Sequence, residues 1–247
     1  MKKFHLFVLV ESLLFSTFLF IAPKLISSVY AADWPMFRRD AIHTGYNPDE
    51  LTLYPPLLLK WTYQGFLNPG SAGSPSVSDG IAYVRLYGSL YALDTQTGTL
   101  IWWKQTPTNI SYNDSAPAVA YGMVYIGNYC DFYCGVVAYD AKTGEEKWQI
   151  SLPRGARGIN VDNGVIYFGS DDWYVRAADA LTGRILWTSP QLNDGVTAVP
   201  AVANGKVFVG TWTGRVYALN ETTGGIVWQT VIGGVMFSSP SIINDTL

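Results

Sequence analysis

The chain has 247 residues, of which 49% are hydrophobic, 15% aromatic and 14% charged. Because a charged share of about 25% is usual, this composition excludes intrinsic disorder. The 16 Lys and Arg residues against 19 Asp and Glu residues give a net charge of −3, so the chain has no basic field of the kind that attracts nucleic acid. The 24 Gly, 9 Trp and 16 Tyr residues are typical of short aromatic strands joined by tight turns, and we expect an all-β fold.

Residues 1–31 have the pattern of a cleaved secretory signal peptide. Lys2 and Lys3 precede an apolar stretch over 4–22, and Val29-Tyr30-Ala31 provides a cleavage site. The alternative is an uncleaved membrane anchor, because the stretch is close to the ~20 residues that cross a bilayer, but Glu11 within it disfavours that interpretation. We expect a secreted, periplasmic or cell-surface protein that contacts a membrane only through this segment, if it is uncleaved.

Residues 32–56 are expected to form a lead-in segment, followed by the main domain over 57–247. The lead-in contains Asp33-Trp34-Pro35-Met36-Phe37-Arg38-Arg39-Asp40 and then His43. For His43 we favour a place in a turn or at the edge of the core over a ligand role. Residues 57–63 predict a lone outer strand, because Trp61 matches the tryptophan of the repeat that follows.

The chain after residue 73 consists of one repeated unit. The pattern Ala-x-[Asp/Asn]-x-x-Thr-Gly-x-x-x-Trp occurs without a gap at Ala92–Trp102, Ala138–Trp148, Ala177–Trp187 and Ala218–Trp228. A strand containing Pro precedes the first, second and fourth copies, whereas the third unit has Ile159 at the Pro position. A period of about 40 residues, with four strand-like runs per unit, indicates the blades of a β-propeller.

Each blade is expected to be a four-stranded antiparallel sheet. The predicted blades lie at about 74–105, 116–151, 158–190 and 199–230, and the next blade begins at 239–247. In the motif, the Asp or Asn is expected to accept turn N–H groups, the Gly to adopt a left-handed conformation, and the Trp to pack its ring on the neighbouring blade. These roles are structural.

The two cysteines lie in an insertion that lengthens the middle hairpin of the second unit. Cys130 and Cys134 are four residues apart, and in an exported protein such a pair is most simply a disulfide that closes a short loop. Free thiols or a metal site are the alternatives. Two thiols without a nearby His or a further Cys do not make a four-ligand zinc site.

An acidic and aromatic cluster, Asp171-Asp172-Trp173, is the strongest candidate for a metal or base role outside the repeat motif. It aligns with Trp212-Thr213-Gly214 in the next unit. Both segments are therefore expected to be turns between strands, where acidic residues are ordinary.

The repeated unit, with its Ser-Pro-x-Val strand, resembles the pyrroloquinoline-quinone-like (quinoprotein-type) β-propeller repeat, which also builds the propeller scaffold of the outer-membrane assembly machinery. The lead-in resembles the segment that often precedes secreted propellers of this family. Because these propellers usually have seven or eight blades, the four complete units predict part of a truncated ring. The rival interpretation is a natural half-propeller that closes by dimerising.

For the dehydrogenases of this family, the resemblance implies a quinone on the propeller axis with calcium, a disulfide of adjacent cysteines, a Trp beneath the ring and an Asp base. No two cysteines are adjacent in this chain. We therefore favour a non-catalytic protein without cofactor-binding, metal-binding or catalytic residues.

The leading functional hypothesis is an exported propeller that binds other proteins as a scaffold. One alternative is a quinone-dependent alcohol or sugar dehydrogenase whose remaining site residues lie beyond Leu247. A second alternative is a cell-surface propeller that binds a polysaccharide or another ligand through exposed aromatic residues such as Trp173 and Trp212.

Overall fold

The computed structural model describes residues 33–43, 58–64, 73–86, 88–106, 116–128, 134–196, 198–234 and 238–242. In these residues the regular structure consists of sixteen β-strands in four sheets, which confirms the all-β prediction. Within these residues there is no helix whose length and hydrophobicity would allow it to span a membrane. The expected signal peptide and Cys130 lie outside the described residues.

Each sheet contains four strands in sequence order, and each strand is antiparallel to its neighbours. The first blade contains β1 (Ser76–Ser78), β2 (Ile81–Leu86), β3 (Ser89–Asp94) and β4 (Leu100–Gln105). The second blade contains β5 (Ala118–Ala120), β6 (Met123–Gly127), β7 (Cys134–Asp140) and β8 (Glu146–Leu152). The third blade contains β9 (Ala156–Asp162), β10 (Val165–Ser170), β11 (Val175–Asp179) and β12 (Ile185–Thr188). The fourth blade contains β13 (Ala201–Ala203), β14 (Lys206–Gly210), β15 (Arg215–Asn220) and β16 (Ile226–Val231).

The repeat motif forms the hairpin between the third and fourth strands of each blade. In the first blade, the Asp94 carboxylate accepts the N–H groups of Gln96 and Thr97 at 2.8 and 2.7 Å. The Thr97 N–H is the largest cause of a lowered pKa for Asp94. Asn220 accepts the corresponding bonds in the fourth blade, so the turn needs an acceptor oxygen and does not need a charge.

The Ala and the Trp of each motif face each other across the third and fourth strands, and a β-bulge follows the pair in every blade. The four pairs are Ala92–Trp102, Ala138–Trp148, Ala177–Trp187 and Ala218–Trp228. The small side chain leaves room for the indole, which contacts an aromatic ring on the second strand of the same blade; in the second blade the Tyr125 and Trp148 ring centroids are 5.8 Å apart.

The same tryptophans connect successive blades. The indole N–H of Trp102 donates to Ala141 O at 3.0 Å, and that of Trp148 donates to Ala180 O at 3.2 Å. The indoles of Trp102, Trp148 and Trp187 lie against the motif glycine of the following blade, where a Cβ on Gly144 would be 2.8 Å from Trp102. That glycine has a φ of +70°, so both the conformation and the contact favour glycine. The expected packing of the Trp on the neighbouring blade is confirmed.

Trp61 makes the same contact with the first blade. Its indole N–H donates to Thr95 O at 2.9 Å, and its ring covers Gly98. Residues 58–64 are not assigned to a strand, because no strand in the described part of the chain pairs with them. The outer-strand position of Trp61 is therefore present, whereas the predicted strand over 57–63 is not formed within the described residues.

The hydrophobic core lies between the blades, with one cluster for each pair of neighbours. Tyr83 and Val124 belong to the cluster between the first and second blades, and Tyr125 and Phe168 to the next. The first strands of the blades lie next to one another, so they surround a common axis, as in a propeller.

The lead-in lies along these first strands. Trp34 and Val77 exchange two backbone hydrogen bonds of 2.7 Å, and the Val119 N–H donates to Pro35 O at 2.7 Å. Further along, the Val202 N–H donates to Ala41 O at 2.8 Å and the Ile242 N–H to Ile42 O at 3.0 Å. The four donors occupy the same position of the repeat. Residues 33–43 therefore contact the first strand of one blade after another and occupy the axial space that these strands enclose.

Candidate functional site

A cleft of about 190 Å³ opens between the third and fourth blades. It lies at one end of the blades, which we call the loop face. This end carries the turns between the second and third strands and the links from one blade to the next. Its lining residues are Arg154, Arg157, Asp171, Trp173, Asp194, Gly195 and Trp212. The structure thus brings together the two exposed tryptophans that the sequence singled out.

The two tryptophans come from corresponding turns in successive blades. In the third blade, the Ser170 N–H donates to Tyr174 O at 3.1 Å, and in the fourth blade the Thr211 N–H donates to Arg215 O at 2.9 Å. When Ser170 is aligned with Thr211 and Tyr174 with Arg215, Trp173 occupies the position of Gly214. The sequence alignment of the two turns predicts this match.

Trp173 adopts a backbone conformation that is unfavourable for a bulky residue. Its φ is +74°, close to the +75° of Gly214 at the matching position. A non-glycine residue held in this region costs on the order of 1–3 kcal/mol, and such outliers concentrate at functional sites. The residue remains 44% exposed, so burial offsets this cost only in part.

The link between β12 and β13 holds both turns in place. The Leu192 N–H donates to Trp173 O at 2.9 Å, and the Trp212 N–H donates to Gly195 O at 3.0 Å. The Asp194 carboxylate accepts the N–H of Gly195 at 2.7 Å and that of Thr213 at 2.8 Å. The cleft is therefore formed by backbone that is already ordered.

The two other carboxylates of this region are bound by arginines. Arg157 donates to both oxygens of Asp171 at 3.0 Å, and Arg176 donates to Asp172 at 3.0 and 2.6 Å. The Arg176 guanidinium also lies 5.3 Å from the centre of the Tyr174 ring. These bidentate pairs are strong and geometrically specific.

These carboxylates do not fit a calcium-binding role, because Ca²⁺ needs six to eight oxygen ligands and the cationic guanidinium groups lie where the ion would have to bind. In the described residues, no group of three or more His, Cys, Asp or Glu side chains could hold a metal ion. For the cluster Asp171-Asp172-Trp173, the structure shows a turn whose two carboxylates form ion pairs with arginines of the adjacent strands β9 and β11.

The last described residue of the lead-in is a buried histidine. His43 is 1% exposed, its Nδ1 lies 2.7 Å from Pro240 O, and its Nε2 lies 3.3 Å from Asn160 Nδ2. A carbonyl only accepts, so Nδ1 carries the proton and Nε2 is the unprotonated nitrogen. Burial lowers the pKa of His43. The side chain is part of the core, in agreement with the structural role expected for it.

Asn160 explains why the third unit departs from the repeat. Its side-chain N–H₂ group donates to Ala41 O and Pro200 O, both at 2.8 Å. In the other units a backbone N–H of the first strand binds the lead-in, whereas in the third blade this amide does so.

The sequence analysis singled out the two tryptophans of the cleft and Asp171, and it missed the other polar residues of the lining. Arg154 and Asp194 lie in links between blades and Arg157 lies near the start of β9, all of them outside the repeat motif. Arg157 and Asp171 are 14 residues apart, and this spacing does not correspond to any repeat that would indicate an ion pair. For the cysteines, Cys134 begins β7 and is buried, and its pairing with Cys130 stays a prediction.

Comparison with known proteins agrees with this fold. The chain is 30% identical over 209 residues to the dehydrogenase subunit of the quinone alcohol dehydrogenase of Komagataeibacter europaeus, which covers 71% of this chain and 28% of that protein. It is 27% identical over 202 residues to the outer membrane protein assembly factor BamB of Burkholderia pseudomallei, covering 76% of this chain and 52% of that protein. The chain thus spans between a quarter and about half of the length of these relatives.

Among solved structures, the quinohemoprotein alcohol dehydrogenase of Pseudomonas putida HK5 matches 81% of this chain and 40% of its own, with a TM-score of 0.66 and 22% identity. At this identity the likeness shows the fold alone. The family model described as outer membrane protein assembly factor BamB matches residues 58–160 and 171–247. The chain therefore belongs to this family of pyrroloquinoline-quinone-like propeller repeat proteins.

Proposed function

We propose that this chain is part of an exported, non-catalytic propeller that binds other proteins as a scaffold. The observation that carries the proposal is the position of the lead-in. Residues 33–43 occupy the space between the first strands of the blades, and His43 is buried there as a neutral, hydrogen-bonded side chain. The lead-in thus lies along the axial edge of the described first strands, at the place where the resemblance implies a quinone in the dehydrogenases of this repeat type.

The outer strands supply a surface that suits protein partners. The first two residues of the outer strand are apolar and 37–50% exposed in three blades: Leu100 and Ile101, Ile185 and Leu186, and Ile226 and Val227. In the second blade the same positions hold Glu146 and Lys147. Repeated exposed apolar side chains on edge strands are typical of interaction surfaces.

The relatives support the same proposal. One group of them is named as an assembly factor for outer membrane proteins, a role that requires contact with other proteins. A scaffold of this kind would act outside the cytoplasm, which agrees with the signal peptide expected at residues 1–31. For this chain we propose a location in the periplasm or on the cell surface.

Site-specific photocrosslinking in the producing cell tests the scaffold proposal. A photoreactive phenylalanine analogue is placed at Leu186 of the third blade, and at Lys147 as the matched position in the second blade. We expect Leu186 to yield an adduct with one defined protein, identified by mass spectrometry, and Lys147 to yield none. Equal adducts at both positions, or none at Leu186, would contradict the proposal.

A quinone-dependent dehydrogenase is the second candidate function, favoured by the 30% identity to an alcohol dehydrogenase subunit. It is tested by adding pyrroloquinoline quinone and calcium to the full-length protein and measuring reduction of an electron-accepting dye with alcohols and sugars. We expect no turnover above the protein-free control. Turnover that depends on both additions would overturn the non-catalytic proposal.

A further inference from the structure

We propose that the cleft between the third and fourth blades binds a neutral sugar unit of an oligosaccharide, with Trp173 and Trp212 as its stacking platforms. This inference does not depend on the scaffold proposal, because the apolar outer strands and the cleft are different surfaces. It rests on the exposure of the two indoles, the arrangement of the polar groups and the size of the cleft.

The two tryptophans are exposed on the loop face. Trp173 and Trp212 are 44% and 42% exposed, whereas the repeat tryptophans Trp102 and Trp187 are buried between blades. At the position of Trp173 the next blade has Gly214, whose conformation the turn favours. An aromatic face carries negative charge density, which attracts the weakly positive C–H groups on the flat side of a pyranose ring.

The polar groups of the cleft match hydroxyl groups better than ions. The lining contains Arg154, Arg157, Asp171 and Asp194, so it carries two positive and two negative side chains and no net charge. In the ion pair of Arg157 with Asp171, donors and acceptors lie side by side at 3.0 Å. A sugar hydroxyl both donates and accepts, and neighbouring hydroxyls can bind such a pair at both groups.

The size of the cleft selects a single ring. Its volume of about 190 Å³ is below the roughly 300–1,000 Å³ of pockets for drug-sized ligands. It therefore holds one sugar unit, and the remainder of an oligosaccharide would extend from the cleft over the loop face.

The site is also ordered before any ligand binds. The hydrogen bonds from Leu192 to Trp173 and from Trp212 to Gly195 hold the two turns on the same link, and Asp194 is held by two backbone N–H groups. Ordered binding groups lower the entropy cost of association. Weak sugar contacts gain most from such an arrangement.

Isothermal titration calorimetry of the full chain with maltohexaose, cellohexaose and xylohexaose tests the proposal. We expect at least one of these neutral oligosaccharides to bind with saturation at concentrations up to about 10 mM, and Trp212→Ala to weaken that binding at least ~10-fold. Trp103→Ala is the matched control, because Trp103 is 47% exposed on β4 of the first blade, and it should leave the affinity unchanged.

Trp173→Gly separates binding from folding. Glycine at this position removes the unfavourable conformation, so we expect an unchanged or higher melting temperature together with at least ~10-fold weaker sugar binding. No binding of any of the three sugars would overturn the proposal, as would binding that both cleft variants retain. Binding of a proline-rich peptide in place of the sugars, lost in Trp212→Ala, would assign the cleft to a peptide and also overturn it.

Discussion

At the level of single residues, His43 and Asn160 show how the chain is held at its axis. Nδ1 of His43 donates to Pro240 O, and Asn160 donates to Ala41 O and Pro200 O. Both side chains are buried. A protonated His43 would point an Nε2–H at the amide group of Asn160, which is itself a donor, so the pair requires the neutral histidine.

The neutral state of His43 predicts a dependence of stability on pH. Its pKa in the folded chain lies below the usual 6.5, so the unfolded chain binds the proton more readily. The stability that the neutral His43 contributes is fully present above about pH 6.5, and it is lost as the pH falls below that value. We expect the free energy of unfolding in urea to decrease by up to about 1.4 kcal/mol per pH unit in this range.

The variant His43→Asn serves as the control for this measurement. It keeps a donor for Pro240 O and removes the titrating group, so the pH dependence between about pH 6.5 and 5 should largely disappear. If the wild type and the variant lose stability in parallel as the pH falls, the protonation of His43 is not the source of the pH dependence.

At the level of the element, the motif hairpin combines a turn, a bulge and a contact between blades. The Asp94 carboxylate orders the turn, Ala92 leaves room for Trp102 beside the bulge, and the glycine lets the preceding Trp approach. The sequence predicted the turn and the packing of the Trp on the neighbouring blade, because the turn depends on residues close in the chain and the Trp recurs with the repeat. The Ala–Trp pair and its bulge became visible only in the structure. The hairpin insertion with Cys130 and Cys134 is the exception to the repeat in this region.

Two glycines with the same φ allow the contribution of the contact between blades to the free energy of unfolding to be measured separately. Gly183 and Gly205 both have a φ of +71°, but a Cβ on Gly183 would lie 2.7 Å from Trp148, whereas one on Gly205 would meet nothing within 4 Å. We expect Gly205→Ala to lower the free energy of unfolding by about 1–2 kcal/mol through its conformation. Gly183→Ala should cost a further ~1–3 kcal/mol because Trp148 must move.

Urea unfolding followed by circular dichroism measures both variants under one condition. The conformational cost is common to the two substitutions, so the difference between them reports the displaced indole. Equal losses of stability would show that the Trp–Gly contact contributes nothing measurable.

At the level of the whole molecule, the lead-in connects blades that otherwise contact only their neighbours. Its carbonyl groups accept the N–H groups of Val77, Val119, Val202 and Ile242, each from a different repeat. Met36 extends into the core between the second and third blades. Segment 33–43 therefore acts as a common core for the first strands.

Deletion of residues 33–43 is predicted to destabilise the propeller strongly. Four N–H groups, three of them on buried residues, would lose their acceptors, at about 1–3 kcal/mol for each buried group unless water replaces the acceptor. We expect a lower melting temperature and faster proteolysis of the deletion variant. A synthetic peptide of sequence 33–43, added in excess, should raise the melting temperature again, because a ligand that binds only the folded state stabilises it.

A peptide of the same composition in scrambled order is the control for the rescue. A deletion variant as stable as the parent chain would contradict the role of the lead-in as a common core. Rescue by both peptides would show that the effect is not specific to the contacts of Trp34, Ala41 and Ile42.

By itself, the sequence determined the fold class, the four-stranded blades, the turn chemistry and the contact of each Trp with the next blade. These features repeat every ~40 residues, and each copy is stabilised by contacts within one unit or with its neighbour. The cleft and the axis required the tertiary structure. Arg157 meets Asp171 and Asn160 meets His43 across separations that no periodicity marks, and only the packing of neighbouring blades forms a cleft between the turns of Trp173 and Trp212.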